Sequence, residues 1–108
     1  MQGYAVGRVE QLQAMLAADP GDAFLRYGLA LEYMKLGRLD EALAGFEALL
    51  RDEPTYVPAH FMHARALEQT DDLDRARAAY RAGIDVARRS GDTHAAAEMT
   101  AALEALGE

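Results

Sequence analysis

This 108-residue sequence predicts an all-α fold, built as a short solenoid of helix–turn–helix repeats with about six helices. Three observations carry the prediction. The stretch GRLDEALAGFEALLRDEP at 37–54 returns at 71–88 as DDLDRARAAYRAGIDVAR. A period of that length marks a repeat array in which each unit is one supersecondary element. The apolar positions shared by the two copies fall at spacings of three and four, the period of a helix face. The 23 alanines, with abundant Leu, Glu and Arg, favour helix over strand, while Gly and Pro gather at a few places.

The elements follow in order within a single domain over 1–108. Residues 6–18, VGRVEQLQAMLAA, have the phase of a second hairpin helix, because Leu12 and Leu16 stand one period before Phe46 and Leu50. A first full unit spans 23–54. Leu25, Leu29, Tyr33 and Leu36 mark the core face of its first helix, and Leu39, Ala42, Leu43, Phe46, Leu49 and Leu50 that of its second. Between them Gly37 is placed to end one helix and Asp40 falls in the first turn of the next. A second unit spans 57–89, with Asp71 and Asp72 as candidate N-caps in its turn. Residues 92–106 carry Ala96, Met99, Leu103 and Leu106 at helical spacing after Asp92. They form a terminal capping helix, slipped by one or two residues from the repeat phase because the link ARRSGD is longer than the first.

Composition narrows the function. The net charge of −7 is split almost evenly between the halves, and no basic face emerges, so neither nucleic acid nor an anionic membrane is an expected partner. The absence of cysteine excludes disulfides and thiolate chemistry. No apolar run approaches the length of a membrane span and the N-terminus lacks an export-signal core, so cytoplasm is the expected location.

The repeat resembles the tetratricopeptide repeat in period and in residue order. The family pattern of Trp, Leu, Gly, Tyr, Ala, Phe and Pro falls on Arg26, Leu29, Ala30, Tyr33, Ala42, Phe46 and Pro54 in the first unit. In the second it falls on His60, His63, Ala64, Leu67, Ala76, Tyr80 and Arg88. The Trp is missing from both, and His63 and Arg88 replace Leu and Pro. The resemblance implies a right-handed α-solenoid, in which small Ala30, Ala42, Ala64 and Ala76 let helices approach and Phe46 and Tyr80 fill the space above them.

The resemblance also implies a binding surface. Phe24, Tyr27, Leu31 and Met34 form a second apolar stripe on the first helix of the first unit, at places that line the concave groove in the family. The matching second-unit places hold Pro58, Phe61, Arg65 and Glu68. The expected function is therefore non-catalytic protein–protein interaction, with an apolar peptide or helix bound against Phe24, Tyr27, Leu31, Met34 and Phe61 and oriented by Arg65 and Glu68. The alternatives are a homo-oligomer, such as a homodimer, that uses the stripe as subunit interface, and a stripe covered internally, for instance by Tyr4 and Val6. A clamp for a partner's C-terminal carboxylate is not expected, because Tyr27, Gly28, Leu31, Phe61, Met62 and Arg65 supply only one cation at the places such members use.

No catalytic constellation, phosphate loop or cofactor motif is present, and no enzyme activity or cofactor is expected. The weaker alternative is a metal site. His60 and His63 are three apart on one helix, and His94 lies one period after His60. Family packing positions at His60 and His63 make no metal the expectation.

Overall fold

The computed structural model of the chain describes residues 7–107. Six helices follow one another: α1 Arg8–Ala18, α2 Ala23–Lys35, α3 Leu39–Asp52, α4 Val57–Gln69, α5 Leu73–Arg89 and α6 Thr93–Leu106. No strand occurs among the described residues. The expected first-helix residue Val6, and Tyr4 before it, lie outside them.

Local chemistry sets the boundaries. Asp22, Asp72 and Asp92 each place a side-chain oxygen on the backbone N–H three residues on, at 3.0, 3.4 and 3.0 Å. Each thereby satisfies a donor that the first helical turn leaves open. α2 ends in a left-handed residue, Gly37 at φ 76°, with Arg38 N–H returning to Tyr33 O at 2.9 Å. The same turn closes α4, where Asp72 N–H reaches Leu67 O at 3.0 Å, and α5, where Asp92 N–H reaches Ala87 O at 2.8 Å. After α4 the left-handed position is held by Asp71, at φ 65°. The expectation that Asp71 could serve as an N-cap is thus corrected: Asp72 caps, and Asp71 takes the place that glycine fills at the other two turns.

Each helix packs on its neighbours in sequence, and α2 also touches α4, as α4 touches α6. Helices α2, α4 and α6 therefore form one layer and α1, α3 and α5 the other. The solenoid measures 49 × 27 × 21 Å, with a radius of gyration of 14.8 Å. A compact domain of this length would have about 13 Å. The elongation is what stacking of hairpins along one axis produces.

The core has two parts. One gathers Ala30, Ala42, Phe46, Leu49, Ala59 and Ala66. The other centres on Leu67, Tyr80 and Met99, and Leu43 packs against both. Phe46 and Tyr80, one repeat apart, are both wholly buried among alanines that let the backbones close in. Gly83 marks a close approach between helices: a Cβ there would lie 2.8 Å from the His60 Cβ and 2.6 Å from the Met99 Sδ.

The expected core face of α2 needs correction. Ala30 is its one buried residue, and Leu25, Leu29 and Tyr33 are half-buried. Leu36 is 56% exposed, because the helix ends at Lys35 and the turn carries Leu36 off the core face.

Candidate functional site

A cleft of about 590 Å3 opens on the layer formed by α2 and α4. Helix α2 lines most of it, through Phe24, Tyr27, Gly28, Leu31, Glu32, Met34 and Lys35. Arg8 comes from α1, and Met62 and Gln69 come from α4. These α2 residues recur every three or four positions, so one helix face presents them together. Phe24 is 73% exposed and stands at the rim. Tyr27, Leu31 and Met34 are half-buried and pack from the cleft onto the core cluster around Phe46. The Tyr27 ring lies 6.2 Å from Phe46 and 5.6 Å from Tyr56, both tilted. Burial, with a smaller contribution from Tyr56, raises the Tyr27 hydroxyl above its ordinary pKa.

The other three expected groove residues do not line this cleft. Phe61 packs edge-on against Tyr80 at 6.1 Å. Arg65 holds its guanidinium 5.0 Å over the Phe61 ring, which fixes the plane of an exposed cation. Glu68 accepts a hydrogen bond from the Tyr80 hydroxyl. Burial and this carboxylate together push the Tyr80 pKa well up, so the phenol stays a donor. Glu68 is thus committed within the fold. Sequence reasoning placed Gly28 and Met62 only as clamp positions and missed Arg8, Glu32, Lys35 and Gln69. A mid-helix glycine is itself a signal that a side chain is unwanted there.

The histidines do not converge. The Nε2 of His60 pairs with Pro54 O at 2.8 Å, and that of His63 with Glu47 Oε2 at 3.2 Å. Glu47 also accepts from Arg75 at 2.9 Å. His94 is exposed beside Glu98, on a helix whose cap, Asp92, is two residues out of the repeat phase. Among the described residues no three His, Cys, Asp or Glu side chains gather as metal ligands. Burial holds the His63 pKa below its ordinary value, against the opposing pull of Glu47.

The sequence profile of the tetratricopeptide repeat matches residues 33–103. The chain belongs to the tetratricopeptide repeat family. It is 32% identical over 98 residues to a TPR repeat-containing protein of Pseudomonas aeruginosa, covering 91% of this chain and 93% of that one. The solution structure of a tetratricopeptide repeat domain protein from Salinibacter ruber superposes with a TM-score of 0.79 at 36% identity, over 82% of this chain and 90% of that one. A protein from Bordetella parapertussis gives a TM-score of 0.84 at 30% identity, over 94% and 89%. PcrH, solved in complex with the chaperone binding region of PopD, gives 0.83 at 25% identity, over 91% and 74%. No helix among the described residues of this tetratricopeptide repeat chain is long and apolar enough to cross a membrane.

Proposed function

We propose that the chain is a protein-interaction module that binds an apolar peptide or helix in the cleft on α2 and α4. The observation that carries this reading is the cleft itself: about 590 Å3 of open space lined by Phe24, Tyr27, Leu31, Met34 and Met62. A 73% exposed Phe24 at its rim is apolar surface that a partner's side chains would remove from water. Met34 and Met62 add polarizable, conformationally adaptable contacts. The similar fold of PcrH, which holds a region of PopD, supports reading this fold as a binder of protein segments. Arg65, fixed on Phe61, is an orienting cation beside the cleft; Glu68, held by Tyr80, contributes to the support of that half.

The experiment is peptide selection followed by mapping. Random dodecapeptides displayed on phage are selected on the immobilised chain, and a selected peptide is titrated into protein carrying 13C-methyl methionine. The Met34 and Met62 methyl signals are expected to shift, while Met15, exposed on α1 and absent from the cleft, stays put. Peptides that move Met15 alone, or that bind Phe24→Glu equally well, contradict the reading. A second copy of the chain is the rival occupant, favoured by the same exposed Phe24.

A further inference from the structure

We infer that the cleft's occupant is a peptide segment with one large apolar side chain seated over Gly28 and an acidic flank facing Arg8 and Lys35. This rests on the interaction reading above and gives the partner a chemistry. The first observation is the shape of the cleft. Gly28 sits in the middle of α2, where glycine is a poor helix former. Packing does not require it there: a Cβ at Gly28 would meet only Leu12 Cδ2, at an ordinary 3.7 Å. Gly83, by contrast, is enforced by neighbours under 3.0 Å away. The position one repeat after Gly28 holds Met62, whose side chain lines the same cleft. What the missing side chain at Gly28 leaves is room, and the room faces the partner.

The second observation is charge. The chain as a whole carries −7, yet the cleft is lined by two cations, Arg8 and Lys35, against one anion, Glu32. The Glu32 side chain is only 16% exposed and pairs loosely with Lys35 at 3.8 Å, and the Lys35 side chain is 76% exposed. Arg8 is exposed and has no ion pair among the described residues. Exposed charges act over about 8 Å at physiological salt. These two cations therefore set the sign of what docks locally, on a chain that is acidic as a whole.

The selection above, run on the wild-type chain alone, tests this, and its peptides are then measured on Gly28→Met, which rebuilds at Gly28 the side chain of Met62. Enriched peptides are expected to place Leu, Phe or Trp beside Asp or Glu. A synthetic peptide from that pool is expected to bind about tenfold more tightly than its Lys-for-Glu version. Arg8→Glu should erase or invert that preference, and Gly28→Met should weaken both peptides at least about tenfold. Basic or uncharged enriched peptides, or unchanged binding by Gly28→Met and Arg8→Glu, overturn the inference. If such peptides still depend on Phe24, the interaction reading survives without this chemistry. If no peptide distinguishes the chain from Phe24→Glu, both fail.

Discussion

The same substitution at two glycines should have opposite effects on stability. In each case alanine replaces glycine inside a helix, which by propensity alone gains about 1 kcal/mol. At Gly28 the new methyl finds Leu12 Cδ2 at 3.7 Å and nothing nearer, so the gain stands. Unfolding entropy near the melting point is about 2.1 cal/mol/K per residue. For 108 residues, 1 kcal/mol is therefore worth about 4 °C, and Gly28→Ala should melt about that much higher. At Gly83 the methyl would sit 2.8 Å from His60 Cβ and 2.6 Å from a wholly buried Met99. The methionine tip can shift, but the His60 Cβ is fixed to the α4 backbone. Overpacking of this kind costs about 1–3 kcal/mol. It outweighs the propensity gain, and Gly83→Ala should melt several degrees lower. Circular dichroism melts and urea titrations of the two variants measure the difference directly. Two shifts of the same sign would refute the claim that Gly83 is fixed by packing and Gly28 is not.

Further outcomes follow from individual contacts. Asp71→Gly relieves a left-handed conformation and removes an anion from the end of α4, so urea unfolding should show a gain of about 0.5–1 kcal/mol. Asp92→Ala, which removes the acceptor for Ala95 N–H, should lose about 1 kcal/mol in the same assay. For His63 the folded pKa lies below the unfolded value of 6.5, so below that pH the unfolded chain binds more protons. Stability is then at its full value above about pH 6.5 and falls as pH drops toward the folded pKa. His63→Gln should flatten that fall in urea midpoints taken across the range, and an unchanged slope would discount the buried imidazole. Phe24→Glu, at a 73% exposed position, should change stability by less than about 0.5 kcal/mol while abolishing peptide binding.

Much of the fold was legible because the determinants of a repeat array are local. The repeat period, Gly37, and the caps Asp72 and Asp92 announced helices, turns and their pairing. What escaped depends on how helices turn against each other. Tyr27, Leu31 and Met34 read as a free stripe, yet each also packs onto the Phe46 cluster, and only Phe24 stands well clear. Phe61, Arg65 and Glu68 are at positions equivalent to the cleft residues, but Tyr80 engages Phe61 and Glu68, a contact between helices that spacing along the chain does not show. The two-residue slip before α6 took His94 away from His60 and His63, which a strict period would have aligned. The opening on α2 was visible only as a glycine whose reason lay in space and not in sequence.

Partner binding in the cleft depends on the surface around Phe24 being free and not already occupied by a second copy of the chain. Sedimentation equilibrium of the wild type and of Phe24→Glu, over a wide dilution range, decides between the two. A free surface requires a monomer for both proteins at every concentration, with equal melting curves. A concentration-dependent dimer that Phe24→Glu dissolves would instead make the same surface a subunit interface, and the partner-binding reading would fall.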